Sequence, residues 1–214
     1  SSGYAAVWAK ENTREAIFDA MKRREVYATT GSRIEVRFFG GWAFEENDIF
    51  SPNYLDRGYS AGVPMGGDLT EAPKNTAPSF MIAAVKDPNG ANLDRLQIVK
   101  GWLDNKGQLR EHVYDVAWSG ERELDAESGK LPAVGNTVDV DSATYANTIG
   151  AASLATVWHD PQFDRKERAF YYVRVLEIPV PRWTTYDAAY FDIDVPDGAP
   201  DSIQDRAYTS PIWY

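Results

Sequence analysis

The sequence predicts a mainly β protein, an immunoglobulin-like β-sandwich with one helix near its start, and three observations carry that prediction. Short runs of alternating or β-branched residues recur along the chain, each bounded by Gly, Pro, Asn or Asp. The aromatic content is 13%, with seven Trp and twelve Tyr, and such rings favour pleated, half-buried surfaces. A helical period is clear in one place, near the start.

That place is residues 12–24. Asn12 offers an N-cap with Glu15 three positions on, Ile17, Ala20 and Met21 fall at helical spacing, and Lys22, Arg23 and Arg24 suit the negative end of the helix dipole. Residues 25–29 read as a short strand and Thr30-Gly31 as a turn. From Arg33 the period becomes two, with Ile34, Val36 and Phe38 on one face, and Gly40-Gly41 ends the strand. Residues 45–76 hold few aliphatics and a glycine-rich passage, GYSAGVPMGGDL, and are expected to form a long structured loop.

Residues 78–85 are an apolar run. Residues 93–103 and 108–118 flank Asp104-Asn105-Lys106-Gly107 as the clearest hairpin, and Lys100 interrupts the apolar face formed by Leu96, Ile98 and Trp102. Residues 121–136 are polar and loop-like. Short strands are predicted over 137–140 and 153–159, and RAFYYVRVLEI at 168–178 is the strongest strand by residue type. The remainder is irregular until a last strand over 203–214, broken by Pro211.

A net charge of -10 with no clustered Lys/Arg stripe excludes recognition of a nucleic-acid backbone. The lack of cysteine removes thiol catalysis, disulfides and Cys-based zinc sites. It fits cytoplasm or periplasm, of which the periplasm is favoured. No apolar run is long enough for a membrane span.

Few residues point to chemistry. His112 and His159 have no second ligand at metal-site spacing, and each reads as a structural or surface residue. No G-x-S-x-G elbow is present. The glycine passage lacks the Lys-Ser/Thr of a P-loop, so Gly62, Gly66 and Gly67 read as turn formers. Asp192, Asp194 and Asp197 form D-x-D-x-x-D-G, which departs from the EF-hand spacing and leaves only an irregular calcium loop to consider against a solvated acidic turn. Trp42, Trp102, Trp118, Trp158 and Trp183 are candidates for a sugar-stacking platform, with most expected to pack on the sheets.

Four stretches carry a resemblance: TREAIFDAMKRREVYATTGSRIEVRFF, DRLQIVKGWLD, AFYYVRVLEIPVPRWTTYDA and IQDRAYTSPIWY. Together they resemble the C-terminal part of a large bacterial family of unknown function related to the PHP (polymerase and histidinol phosphatase) metallohydrolases, over essentially the whole chain. The resemblance implies a barrel that holds divalent metals through His, Asp and Glu, followed by a β-sandwich. The last barrel helix of that pattern corresponds to Ala16-Ile17, Ala20-Met21-Lys22 and Val26 through Gly31, with Ser32 where proline is usual.

On this resemblance, residues 1–31 are the terminal helix and strand of a PHP-like barrel and residues 32–214 are the sandwich with its long loops. The family's metal ligands fall before this helix, so none is carried over. The chain itself has no cofactor, whereas the intact protein has divalent metals. Its partner is the N-terminal barrel of the same protein. The parent is expected to be a phosphoesterase-like, metal-dependent hydrolase, and this portion to be inactive alone. Gly58, Gly62, Gly66, Gly67 and Asp68 are the expected substrate-proximal loop. The alternatives are a carbohydrate- or small-molecule-binding module and a structural or self-association domain, and the sequence leaves the oligomeric state open.

Overall fold

A computed structural model describes residues 3–214, and it is mainly β, as the sequence predicts. The chain runs β1 (Tyr4–Val7), α1 (Arg14–Lys22), β2 (Val26–Thr29), β3 (Glu35–Gly41), a 3-10 turn (Asp48–Phe50), α2 (Tyr54–Ala61), β4 (Gly62–Pro64), β5 (Ser79–Val85), β6 (Leu93–Leu103) and β7 (Leu109–Trp118). It continues through β8 (Ser153–His159), β9 (Ala169–Glu177), β10 (Val180–Pro181), α3 (Trp183–Phe191), β11 (Ser202–Ile203), β12 (Arg206–Thr209) and β13 (Ile212–Trp213).

Two antiparallel sheets form the sandwich. The larger has the order β1-β2-β12-β9-β6-β7, with β13 also paired to β9, so β1 and β7 are its edges. The smaller has the order β4-β3-β5-β8. Between them lies one core, to which Val36, Phe38, Phe80 and Ile82 come from the smaller sheet and Ile98, Tyr171, Val173 and Val175 from the larger. The opening segment is thus wired into the larger sheet: β2 pairs with β1 on one side and β12 on the other. Of the first residues, Ser1 and Ser2 lie outside the described residues.

The residue pattern of each strand follows from what covers it. In β9, Tyr171, Val173 and Val175 are buried while Phe170, Tyr172, Arg174 and Leu176 face outward, which is the alternation of a sheet covered on one side. β5 does not alternate, because both of its faces are covered. Phe80 and Ile82 enter the main core, and Met81 joins Phe39, Phe44 and Ile49 in a second cluster on the far side.

That second cluster corrects the expected loop at 45–76. The 3-10 turn and α2 cover the outer face of the smaller sheet, and β4 extends it. Gly58 reads as a turn former but lies within α2, where a Cβ would stand 2.7 Å from the Phe39 ring. Its missing side chain lets the helix approach the sheet. Gly40 and Gly41 are the last two residues of β3 and still belong to its ladder. They pair with Phe80 and Ser79 on β5, and a Cβ on Gly41 would meet Phe44 at 2.8 Å.

Further differences are local. Helix α1 is capped by Thr13, whose Oγ1 accepts from Ala16 N at 3.3 Å, rather than by Asn12. The strand expected at 137–140 reduces to one bridge between Asp139 and Thr144. Helix α3 was not foreseen: its sequence, WTTYDAAYF, carries β-branched and aromatic residues on every side, so no apolar stripe announces it. The polar loop after β7 is anchored by Arg122, which reaches Asp94 Oδ1 at 2.7 Å and the Pro132 carbonyl at 3.0 Å. Among the described residues no helix is long and apolar enough to cross a membrane.

Lys100 does not break the apolar face of β6. Its side chain is 2% exposed, and its Nζ lies 2.6 Å from Asp160 Oδ2 and 2.8 Å from the Gln162 carbonyl oxygen that it donates to. Asp160 Oδ2 also accepts from Tyr171 Oη at 2.7 Å, and Oδ1 from Gln162 N at 2.9 Å. Burying the cation is tolerable only because this carboxylate is buried with it. Lys100→Met should therefore cost about 3–5 kcal/mol in urea unfolding, while Lys100→Met with Asp160→Leu should recover much of that loss. A single-variant cost below about 1 kcal/mol would show the pair to be energetically idle.

Candidate functional site

The five residues of the expected substrate-proximal loop are dispersed in role. Gly58 is inside α2 and Gly62 opens β4 against the backbone of Gly40. Gly66 has φ +84 and sits against the Arg24 carbonyl, Gly67 packs on Val63, and Asp68 pairs with Arg24 at 3.0 Å. The loop's amides are already used: Gly66 N donates to Pro211 O, Gly67 N to Pro64 O and Leu69 N to Trp213 O. This passage thus seals α1 and β2 against the last strand. Gly66→Ala should lower stability by more than about 2 kcal/mol in denaturant titration, because it combines left-handed strain with a backbone clash.

The acidic candidates do not converge. Asp192 closes α3 in the left-handed region at φ 53, and Asp194 and Asp197 follow it in exposed chain. Among the described residues no three His, Cys, Asp or Glu side chains gather as a metal-binding group. His112 and His159 are both exposed, His112 lying against Tyr114 with ring centroids 4.2 Å apart. Trp42, Trp102, Trp118 and Trp158 are half-buried: Trp42 Nε1 donates to Thr70 O and Trp118 Nε1 to Arg122 O. Trp158 packs on Phe80, and Trp102 packs against the core with Lys100 Nζ 5.0 Å from its ring. Trp183 alone of the five is largely exposed. These five rings make no common platform.

The structure instead brings together residues far apart in the chain. A cleft of about 530 Å³ lies where the end of α1, β3 and α2 meet, lined by Trp8, Lys10, Arg23, Glu25, Arg37 and Tyr59. Glu25 forms its buried floor. Its Oε2 receives Arg23 Nη2 at 3.2 Å, while Oε1 receives the Tyr59 hydroxyl and has Arg37 Nη1 at 3.9 Å. Arg37 Nη1 also donates to Tyr59 Oη at 3.2 Å, and its guanidinium lies flat over Trp8, 3.3 Å from the ring centroid. Trp8 is fixed in turn by donating from Nε1 to Val36 O at 2.9 Å. Burial, then the hydrogen bond to Glu25, pushes the Tyr59 hydroxyl up to about 12, so it stays a donor.

Apolar side chains are uncovered on α1, on the outer face of the larger sheet and on α3, where Tyr190 and Phe191 are exposed. On α1 only Ala20 is buried; Phe18 and Met21 are 63% and 52% exposed, and with Ile17 they line one apolar hollow. Met21 also borders Val7, Val26, Ala28 and Tyr208, which continues the patch onto the outer face of the larger sheet. That face bears Tyr172, Phe170 and Trp213 on adjoining strands, with Phe170 and Trp213 centroids 5.4 Å apart. Phe170 covers Gly101, where a Cβ would overlap its ring.

One buried group stands apart. Glu177, at the end of β9, is 1% exposed, and its Oε1 has no hydrogen-bond partner. Burial pushes its carboxyl up to about 7, with Asp205 and Asp87 adding to the rise, and the nearby Ser32 hydroxyl and Lys86 opposing it. A folded-state value above the ordinary 4.5 means that the native protein binds the proton more tightly. The stability gained is complete below about 4.5 and lost as pH rises through about 7. At roughly 1.4 kcal/mol per tenfold in proton affinity, that is roughly 3 kcal/mol. Glu177→Gln should remove this slope, so that unfolding free energies of the two proteins measured from pH 5 to 8 diverge in favour of the variant as pH rises.

The architecture defines a two-sheet β-sandwich domain whose helix α1 leaves an apolar face uncovered. The chain belongs to the family described as "Protein of unknown function (DUF3604)", whose family model matches residues 1–214. Comparison with curated proteins and with solved structures gives no match.

Proposed function

We propose that this domain is the C-terminal accessory sandwich of a PHP-like, metal-dependent hydrolase, and that it braces a catalytic barrel belonging to the same protein. The observation that carries the reading is α1. A nine-residue helix that buries only Ala20 against its own domain, and turns Phe18 and Met21 outward, is shaped to be covered by something else. The sequence resemblance supplies the occupant, because this helix matches the last helix of a barrel.

Among the described residues no three His, Cys, Asp or Glu side chains gather as a metal-binding group, and Asp160 and Glu25 are already paired with cations. The divalent metals of the proposed enzyme therefore belong to the barrel, where they would polarise the scissile centre and acidify a bound water. The role of this domain is mechanical and positional. Gly66 and Asp68 hold Arg24, just beyond α1, from behind, and α1 offers the apolar face.

Assayed alone with divalent metals on phosphate-ester and carboxyl-ester substrates, the 214-residue chain should give no turnover above background. EDTA-sensitive turnover would overturn the proposal. Replacing Phe18 and Met21 together by Ser should leave the melting temperature of the isolated chain within about 2 °C, since both are exposed, and should weaken its co-purification with the separately expressed preceding region of the same protein. Unchanged co-purification would mean that α1 is not the docking face.

A further inference from the structure

We propose that the cleft formed by Lys10, Arg23 and Arg37 is a binding site for a dianionic phosphoryl group, such as a phosphate monoester. This goes beyond the bracing role and stands or falls separately from it.

Charge is the first argument. The chain carries -10 overall, yet this cleft gathers three cations, Lys10, Arg23 and Arg37, around one carboxylate, Glu25. Three minus one leaves a formal excess of two positive charges, the complement of a phosphate dianion. Salt screens the more distant acidic groups over a Debye length of about 8 Å, so the cleft feels chiefly its own charges and those of its immediate neighbours Glu11 and Glu35.

Preorganisation is the second. Arg37 is held on three sides, by the Trp8 ring, by Tyr59 and by Glu25, so its fork is set before any ligand arrives. Glu25 is buried and saturated: Tyr59 and Arg23 each donate to one of its oxygens and Arg37 stands beside it. It orients the two guanidinium groups and offsets one of the three positive charges, which leaves the excess of two. Among the described residues, no hydrogen bond engages Arg37 Nε or Nη2, Arg23 Nε or Nη1, or Lys10 Nζ. These donors border one concavity, and Tyr59 remains protonated at any physiological pH. Two guanidinium forks and an ammonium together offer more donors than one carboxylate can accept, whereas a phosphoryl dianion brings three oxygens and a second charge.

The test is a titration with inorganic phosphate at constant ionic strength, followed through the indole Nε1–H resonance of Trp8 in two-dimensional NMR. We expect a saturable shift for phosphate, and a response at least about tenfold weaker for acetate at the same concentration. Lys10→Gln, at an exposed position, should weaken phosphate binding by about tenfold or more. Arg23→Gln should do the same once circular dichroism shows it folded, because Arg23 donates to buried Glu25. Lys106→Gln, on the turn between β6 and β7, should leave it unchanged. The inference is overturned if phosphate produces no saturable shift, if acetate binds as tightly, or if Lys106→Gln weakens binding as much as the cleft variants. Arg37→Gln is the less clean variant, because it also removes a neighbour of buried Glu25. Its folding would be checked by circular dichroism before its phosphate response is read.

Discussion

The sandwich depends on one buried carboxylate. Asp160 directly follows β8 in the smaller sheet, and it takes Lys100 from β6 and Tyr171 from β9 in the larger one. Slipping β6 by one residue against β9 would turn Lys100 to the other face and leave the carboxylate unpaired in the core, at a cost of several kcal/mol. The Tyr171 ring, 4.5 Å from Phe80 by centroids, fills the space beside the pair. Apolar contacts alone tolerate small slips, whereas a fully engaged ion pair does not. The relative position of the two sheets is set here.

The cleft inherits that precision. With the sheets locked, β3 and β5 turn Phe39 and Met81 to the outside of the smaller sheet, and α2 seats on them. Phe39 meets the Tyr59 ring edge-on at 5.0 Å, which carries the Tyr59 hydroxyl to Glu25. Arg23 belongs to the C-terminal end of α1, so the cleft and the uncovered apolar helix face share one element. A body docked on α1 would stand at the rim of the cleft.

Sequence reasoning reached the parts of this molecule that are local. The β6–β7 hairpin has turn residues between two long runs, β8 has its predicted ends, and β9 alternates cleanly, so each is written in adjacent residues. Helices α2 and α3 were missed because their patterns are made by tertiary contact: Gly58 lies in α2 to clear a phenyl ring, and α3 lacks an apolar stripe. Lys100 looked like an interruption since its partner lies two strands away in the chain. The cleft was invisible for the same reason. Arg23 read as a helix-dipole residue and Arg37 as the solvent face of a strand, and nothing near either one announces Trp8 or Tyr59. Only α1's apolar side was legible as a candidate contact, because Ile17, Phe18 and Met21 are neighbours on one turn.

The two edges of the larger sheet are not alike. β7 carries Arg110, Glu111, His112 and Asp115 along its length, and the register shift between Leu96 and Gln97 on its partner twists it further. Charge and irregularity of this kind resist the addition of a foreign strand. β1, with the sequence YAAV, has neither charge nor bulge and is shielded only by its shortness. If this protein ever aggregates or recruits an extended peptide through backbone pairing, β1 is the edge at which growth begins.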